Sequence, residues 1–464
     1  MSAPHSPPAS PGLERRLNLF DATMLIVGNI IGIGIFTTTG FIADALPDPV
    51  LILVVWAVGG LLTLCGALSY AELGAALPKA GGEYVYLREA YGPFLGFLNG
   101  WTYFLVTNPG SIAAMVVGLI HYLQGLSPAI SLETVLFRVP YGFGSLPISS
   151  GQLVALAIVL CFSAINYVGV RFGSLVQNLL TVAKLGAILA IALLGFLIGE
   201  GHWSHFLQSS ASGGSHDIAG FSDAFIAVIF AYTGWFTSTY VASEIKEPQR
   251  NLPRSIIGGT MIVLVVYLLI NAAYLYALSV EDLRGVVNVG EKASIHLLGQ
   301  QAGRWVVAAI IVSILGAVNS VILTAPRIYY AMSRDGHFFE SMGRVHRRFR
   351  TPANAIVIQA LWSGVLVVSG TFGQLLTYTV VAMLTFSILT AIGVLLLRHK
   401  QPDLPRPYRT PGYPWIPVLF VLSYVVILAN TLVGRPREGL IGLGIVILGS
   451  PVYFFWRRKA PLLP

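Results

Sequence analysis

The stretch GNIIGIGIF, residues 28 to 36, lies in the middle of an apolar segment long enough to cross a bilayer. Glycine in a helix interior costs about 1 kcal/mol relative to alanine, so this glycine run needs a structural reason. One reason is close packing, because Gly28 and Gly32 have the GxxxG spacing that lets two helices approach each other. The other is a break in the helix, which leaves free backbone N–H groups that bind an anion.

A second interruption favours the break. The stretch FAYTGWF, residues 230 to 236, places Thr233 and Gly234 among bulky aromatic residues inside another apolar segment. Five membrane crossings invert the topology, so breaks in the first and sixth spans are typical of transporters with two inverted repeats and a site near the membrane midplane. We therefore interpret both stretches as interruptions of discontinuous helices.

Composition assigns the chain to the membrane class. Of 464 residues, 55% are hydrophobic and 10% are charged, with a mean hydropathy of +0.75, which ordinary water-soluble domains do not show. A spanning helix needs about 20 mostly apolar residues. The sequence predicts an all-α polytopic membrane protein with twelve spans, at residues 19–45, 51–77, 93–123, 149–168, 173–199, 219–244, 254–279, 301–332, 353–370, 375–397, 414–433 and 438–456.

These spans divide the chain into four predicted regions. Residues 1–14, MSAPHSPPASPGLE, form a disordered cytoplasmic tail, which lacks the features of a secretory signal. Residues 15–200 form the first five-helix repeat, and residues 201–400 form the second, inverted one. Residues 401–464 supply spans 11 and 12 and a short cytoplasmic C-terminus.

The distribution of basic residues predicts the orientation. Twenty Lys and Arg side chains fall on the side that holds both termini, and six fall on the other. By the positive-inside rule, both termini of this multi-pass protein are cytoplasmic. We expect a location in the plasma membrane, which for a prokaryotic carrier is the inner membrane. The net charge of +8 follows from this asymmetry, so no nucleic-acid partner is expected.

Enzyme chemistry finds little support in the sequence. Histidines are scattered, neither HExxH nor paired CxxC occurs, and GIGIF lacks the third glycine of a dinucleotide site. We expect no cofactor and no metal. Cys65 and Cys161 lie in apolar spans and are predicted to be small buried hydrophobic residues. The outer loops contain no cysteine, so no disulfide-linked subunit is expected, and the chain is predicted to be a monomer or weak oligomer.

Charged residues at membrane depth are candidates for function. Lys184, in LLTVAKLGAILA, lies about eleven residues into span 5, roughly 16 Å deep, and should bond to backbone carbonyls or to a titrating partner. Arg327 precedes Arg334 closely, which predicts that its side chain extends to the cytoplasmic end of the span.

Acidic residues are scarce near the hydrocarbon, where only Glu72 and Asp223 are placed. Glu72 is predicted to tie its helix to the basic loop that follows. A cationic substrate side chain would lack a deep carboxylate partner, so the sequence favours neutral substrates.

Several motifs together resemble those of the amino acid-polyamine-organocation superfamily, and within it the L-type amino acid transporter group. GNIIGIGIF is similar to the family's GxxIGxGIF, and ELGAALPKAGGEYVYLREAYG is similar to its PxxGGxYxYLxxxxG. FAYTGWFTSTYVASEIKEPQRNLPRSI matches FAYxGW followed by EEIKNPxRNLPRAI. RIYYAMSRDGHF and RTPANAI complete a resemblance that covers nearly the whole chain after residue 15.

The resemblance implies two inverted five-helix repeats, two further helices and transport by alternating access. It implies that backbone amides hold the substrate carboxylate at Ile31, Gly32, Ile33 and Gly34. Carbonyls of the unwound segments would hold the α-ammonium, around Gly28, Phe230, Ala231 and Thr233.

Two further roles follow from the resemblance. Phe230 corresponds to the aromatic gate over the substrate, and Lys184 to a lysine that links unwound span 1 to the scaffold in place of sodium, so transport should be sodium-independent. Two positions depart from the pattern: Ile33 replaces a common Ser or Thr, and Phe236 replaces a common Asn. Both changes make the surroundings of the pocket more apolar.

The sequence leaves several functions open. The favoured one is a secondary active transporter of neutral L-amino acids, working by exchange or by proton coupling. The alternatives are a transporter-like amino acid receptor that signals without turnover and an exchanger of cationic amino acids or polyamines. The short terminal regions argue against the receptor, and the lack of deep carboxylates argues against the cationic exchanger.

Overall fold

A computed structural model of the chain describes residues 12–141, 144–208, 218–369, 372–434 and 436–459. The predicted disordered tail lies largely outside these residues. The described α-helices are α1 (Leu19–Ile30), α2 (Gly34–Ala45), α3 (Pro49–Ala76), α4 (Glu83–Tyr91), α5 (Pro93–Thr102), α6 (Asn108–Leu126), α7 (Ser150–Val168), α8 (Val170–Ile198), α9 (Ile218–Ala231), α10 (Pro248–Ala277), α11 (Val280–Leu283), α12 (Val289–Leu298), α13 (Gln300–Thr324), α14 (Pro326–Arg334), α15 (Ala353–Ser369), α16 (Phe372–Lys400), α17 (Trp415–Gly434) and α18 (Pro436–Lys459).

Shorter helical turns complete the bundle. A π-helical turn, Tyr103–Thr107, joins α5 to α6, and 3-10 helices occupy Trp203–Leu207, Thr237–Glu244 and Glu340–Gly343. Within the described residues, nine helical segments are long and apolar enough to cross a membrane, and the bent pair α1 and α2 makes a tenth. The protein is therefore a helical polytopic membrane protein. The predicted count of twelve is not confirmed, because the described parts of α9 and α15 are shorter than a full span.

The helical bundle carries one small β-element that the sequence did not predict. Residues predicted as the loop between spans 3 and 4 form an antiparallel hairpin of β1 (Val135–Tyr141) and β2 (Gly144–Ser149). These runs are too short for spanning helices and contain β-branched and aromatic residues that favour strands. Ser149 then begins α7 with a capping box, in which its hydroxyl accepts from the Gln152 amide.

The two broken helices lie at the centre of the bundle. Helix α1 packs against α8, α10 and α13, while α2 packs against α9. Helix α10 also packs along α3, where Trp56 and Tyr267 meet edge to face with ring centroids 5.3 Å apart. The division into two inverted repeats at residue 200 stays a prediction.

The predicted role of Arg327 is wrong, because its side chain turns inward. It is fully buried in the first turn of α14, and its guanidinium makes a bidentate ion pair with Glu244, which is also fully buried (Nε to Oε1 2.6 Å, Nη2 to Oε2 3.1 Å). The sequence did not reveal this pairing, because the carboxylate that binds Arg327 lies 83 residues earlier in the chain.

Glu72 has different partners from the predicted ones. Its carboxylate accepts from Arg398 at 2.7 and 2.8 Å and from the backbone amide of Thr410 at 2.7 Å, and Arg406 lies 3.5 Å away. It therefore ties α3 to the end of α16 and the loop after it, rather than to the basic loop that follows α3.

Of the two cysteines, Cys65 is partly buried and Cys161 is exposed on α7. The prediction of a buried residue is therefore wrong for Cys161. A small apolar side chain on a spanning helix is equally compatible with a lipid-facing position, and the sequence pattern does not distinguish the two faces.

Candidate functional site

The first interruption separates α1 from α2. Helix α1 begins with a capping box between Asn18 and Asp21 and ends at Ile30, and α2 starts at Gly34 with its axis bent by 41°. The intervening residues 31–33 are not helical. The break therefore falls inside the glycine run, as predicted.

The second interruption follows α9. Helix α9 ends at Ala231, and residues 232–236 form turns before the 3-10 helix Thr237–Glu244. Gly234 has a φ of +103°, a conformation that side-chain-bearing residues rarely adopt. A Cβ at this position would also overlap the amide of Asn29. Glycine is thus needed here both for its conformation and for the close approach of the two interrupted helices.

Side chains that the sequence analysis did not single out join the two breaks. The Tyr267 hydroxyl on α10 lies 3.0 Å from the Ile30 carbonyl and 3.1 Å from the Ala231 carbonyl, so it bridges the ends of α1 and α9. The Asn29 amide donates to the Gly234 carbonyl at 3.3 Å. In the sequence, the position of Tyr267 in the middle of the apolar span 7 could have indicated that its hydroxyl has a partner inside the bundle.

A cavity of about 300 Å³ lies between the two interrupted helices. Six predicted site residues line it: Gly32, Ile33, Gly34, Phe230, Ala231 and Thr233. The amide of Gly34, the first residue of α2, has no acceptor within that helix, and Gly34 lies at this wall. The described residues that line this cavity include no charged side chain. Hydroxyls, amides and apolar groups form its surface.

Both residues that depart from the family pattern lie on the cavity wall. Ile33 is 39% exposed there, and Phe236 packs edge to face against Trp235 and Tyr240, with ring centroids 5.2 and 5.9 Å apart. The isoleucine and phenylalanine side chains therefore make this wall more apolar than serine and asparagine would.

Phe230 separates two cavities. Its side chain is 48% exposed and lines both the central cavity and a neighbouring one of about 500 Å³ between α9, α16 and α17. Asp223 lies on the wall of the neighbouring cavity, not of the central one. The position of Phe230 is suitable for the gate that the family resemblance implies.

Lys184 is fully buried behind the first break. Its Nζ donates to the carbonyl oxygens of Gly28 and Ile31, both at 2.7 Å, and of Ser313 at 3.2 Å. Three acceptors match the three protons of an ammonium group. The lysine thus links three elements: the last turn of α1 through Gly28, the unwound segment through Ile31, and α13 through Ser313.

Gly28 and Ile31 do not contribute to the cavity wall, in contrast to the other predicted substrate contacts. Their carbonyls face Lys184, and the Ile31 amide already donates to the Val27 carbonyl at 3.0 Å. The Gly32 amide donates to the Ile30 carbonyl at 2.9 Å. The sequence could not show this because it does not reveal which side of an unwound segment faces the scaffold.

Buried carboxylates near the membrane are more numerous than predicted. Besides Glu72, the structure buries Glu244 beside Arg327 and, at the start of α4, Glu83 among hydroxyl groups. Neither of these two carboxylates lines the central cavity. The described residues contain no cluster of three or more His, Cys, Asp or Glu side chains that could hold a metal ion.

Comparison with known proteins agrees with this architecture. A family model described as amino acid permease matches residues 17–448. The serine/threonine exchanger SteT of Bacillus subtilis is 32% identical over 454 residues, covering 97% of this chain and 98% of SteT. The human large neutral amino acids transporter small subunit 2 is 32% identical over 96% of this chain and 82% of its own length. The human b(0,+)-type amino acid transporter 1 is 31% identical over 97% and 89%. The chain therefore belongs to the amino acid permease family.

Proposed function

We propose that the protein is a secondary active transporter of neutral L-amino acids that exchanges substrates by alternating access. The observation that carries this proposal is the uncharged wall of the cavity between the two interrupted helices. An amino acid zwitterion needs donors for its carboxylate and acceptors for its ammonium group, and unwound backbone offers both. A charged substrate side chain would also need a countercharge, which the described lining residues do not supply.

Each part of the substrate has a proposed partner. The N-terminus of α2, at Ile33 and Gly34, would receive the carboxylate, because the helix dipole favours an anion there. Gly32 would contribute to this wall without its amide, which donates to the Ile30 carbonyl. Carbonyl oxygens of Phe230, Ala231 and Thr233 would receive the ammonium group. The Ala231 carbonyl already accepts the Tyr267 hydroxyl and keeps a second lone pair. The Phe230 carbonyl accepts both the amide and the hydroxyl of Thr233, so the ammonium group would displace the rotatable Thr233 hydroxyl there.

Sodium independence is part of the proposal. The Lys184 ammonium joins carbonyls of the first break and of α13, where it supplies a fixed positive charge. A cation at the same carbonyls would be repelled by this group and would compete with it for acceptors. Exchange is preferred over proton symport because SteT, which aligns with almost all of this chain, is named as an exchanger.

We also propose a plasma-membrane location with both termini cytoplasmic and no disulfide-linked subunit. The basic residues support this orientation. Cys65 and Cys161 lie within α3 and α7 rather than in loops between helices, so neither is placed to reach a partner outside the membrane.

Counterflow in proteoliposomes tests the proposed function. Uptake of labelled serine, threonine, leucine and alanine is compared between vesicles preloaded with the same unlabelled amino acid and empty vesicles, in sodium and in choline buffer. We expect faster uptake into loaded vesicles, equal in both buffers, with little competition from excess arginine or putrescine. Equal uptake into loaded and empty vesicles would indicate uniport or proton coupling. Strong competition by arginine would contradict the neutral substrate class, and binding without uptake would favour a receptor.

A further inference from the structure

A buried carboxyl group lies beside the central cavity and is not used by the proposed binding site. Glu83, the first residue of α4, is fully buried. Its Oε2 accepts from the hydroxyls of Tyr103 at 2.6 Å and Tyr240 at 3.3 Å, and its Oε1 accepts from Tyr70 and, at 3.4 Å, from Ser387. We refer to these five residues as the Glu83 cluster.

The Glu83 cluster lacks a counterion. Of the three buried glutamates, Glu72 and Glu244 each form an ion pair with arginine, whereas no described Lys, Arg or His lies within ion-pair distance of Glu83. The titratable groups that face Glu83 are tyrosines: the three of the cluster, Tyr86 of its own helix and Tyr424 of α17. Burial raises the pKa of the Glu83 carboxyl, and the hydroxyl hydrogen bonds oppose this effect only in part.

Two members of the cluster also face the cavity. Tyr103 and Tyr240 line the central cavity, and their hydroxyls donate to Glu83. An ionised carboxylate can only accept hydrogen bonds, so both phenol hydroxyls donate to it. A protonated carboxyl donates one hydrogen bond itself. When the phenol oxygen of Tyr103 or Tyr240 accepts that bond, the phenol keeps its own proton, and its O–H turns to another acceptor, either in the cavity or on the neighbouring phenol.

We propose that Glu83 is a proton-binding site that controls substrate affinity through Tyr103 and Tyr240. The proton comes from the adjoining water, binds a carboxylate oxygen of Glu83 and returns to water when the group ionises, so no covalent bond in the substrate changes. With Glu83 protonated, a phenol O–H becomes available to an oxygen atom of the bound amino acid. This inference rests on the proposed transport function.

The test compares the pH dependence of KM for counterflow in three proteins. Between about pH 5 and pH 8, wild-type KM should fall by about three- to tenfold on acidification, the value of one added hydrogen bond. Glu83→Gln mimics the protonated form, so its KM should stay at the acidic wild-type value throughout. Glu89→Gln removes a carboxylate of the same helix that pairs with Arg88 and Lys79 at the surface, and it should retain the wild-type profile.

Infrared difference spectroscopy of the purified protein gives a second readout. A carbonyl band of a protonated carboxyl group should appear on acidification of the wild type and be absent from Glu83→Gln. Should Glu83→Gln not fold, Tyr240→Phe replaces it: the band should persist at a shifted frequency, and the pH dependence of KM should weaken. A wild-type KM that is independent of pH, or the wild-type profile in Glu83→Gln, would overturn the proposal. Absence of transport by the wild type would instead refute the proposed function, while the band still tests protonation of Glu83.

Discussion

At the scale of single residues, the hydroxyl of Tyr267 is the group that fixes the two helix breaks relative to each other. It contacts one carbonyl from each broken helix, and the phenol ring is held by Trp56 and Tyr232 at centroid distances of 5.3 and 5.0 Å. The ring therefore stays in place when the hydroxyl is removed, and a Phe variant isolates the contribution of the two hydrogen bonds.

Tyr267→Phe should raise the KM or lower the turnover of counterflow by about three- to tenfold, because a net hydrogen bond contributes about 0.5–1.5 kcal/mol. Tyr274→Phe is the matched control on the same helix, since its buried hydroxyl has no hydrogen-bond partner among the described residues. The control should be neutral or slightly stabilising. Equal transport by the two variants would contradict the bridging role of Tyr267.

Replacement of Lys184 should also impair transport. Lys184→Met keeps the length of the side chain but leaves three buried carbonyls without their donor, which costs about 1–3 kcal/mol for each unsatisfied group. We expect counterflow to fall at least tenfold. Lys79→Met, which removes an exposed lysine, should leave the rate unchanged. If Lys184 serves as a permanent structural cation, the residual activity of Lys184→Met keeps the wild-type pH profile; a flattened profile would show that this lysine titrates.

At the scale of elements, the interruption after α9 depends on the backbone of Gly234. Gly234→Ala introduces a Cβ at a positive φ and against Asn29, so it should displace the break and lower transport at least tenfold. Gly186→Ala in α8 is the control, because a Cβ there meets nothing within 4 Å and alanine favours a helix interior by about 1 kcal/mol. Normal transport by Gly234→Ala would show that the break tolerates a side chain.

The buried Arg327 and Glu244 pair joins three elements. Glu244 ends the segment after the second break, Arg327 begins α14, and the Glu244 carbonyl also accepts from the amides of Arg16 and Leu17 at 2.8 and 2.9 Å. Removing one partner leaves an uncompensated buried charge, so Arg327→Met should lower stability by about 3–5 kcal/mol.

Thermal unfolding in detergent measures this effect. The control is Glu340→Gln, which breaks an exposed pair with Arg344 and should change stability by less than about 1 kcal/mol. The double variant Arg327→Met with Glu244→Gln should recover part of the loss, because no isolated charge remains. A double variant no more stable than Arg327→Met would contradict the ion-pair explanation.

At the scale of the whole molecule, two contacts join segments that are far apart in the sequence but were predicted to lie on the same side of the membrane. Arg88 of the linker after span 2 forms an ion pair with Asp335 of the linker after span 8. At the opposite predicted side, Gln152 beside the β-hairpin donates to the Val368 carbonyl at 3.1 Å, at the far end of α15. Each of these two contacts thus joins segments that were predicted on the same side of the membrane.

Cysteine labelling decides which set faces the cytoplasm. In a background with Cys65→Ala and Cys161→Ala, Ser145→Cys in the hairpin should react with a membrane-impermeant maleimide added to intact cells. Arg344→Cys, in the linker between α14 and α15, should react only after the membrane is permeabilised. The reverse pattern would invert the proposed orientation of the protein.

The sequence by itself determined the membrane class, the positions of both helix breaks and the family. These depend on local features: the length of apolar runs, glycines that an intact helix would not favour, and motifs of adjacent residues such as GNIIGIGIF. The depth of Lys184 and its need for a partner also followed from its place in span 5, whereas the choice of backbone carbonyls over a titrating group did not.

Only the tertiary structure decided which polar groups meet. Arg327 and Glu244 are 83 residues apart, Glu72 and Arg398 are 326 apart, and the hydroxyls around Glu83 come from four separate helical segments. The sequence also did not reveal which side of the first helix break faces Lys184. It therefore could not show that Gly28 and Ile31 lie outside the cavity. Electrostatic and hydrogen-bond energies depend on distances in space, and packing of helices far apart in the chain sets those distances.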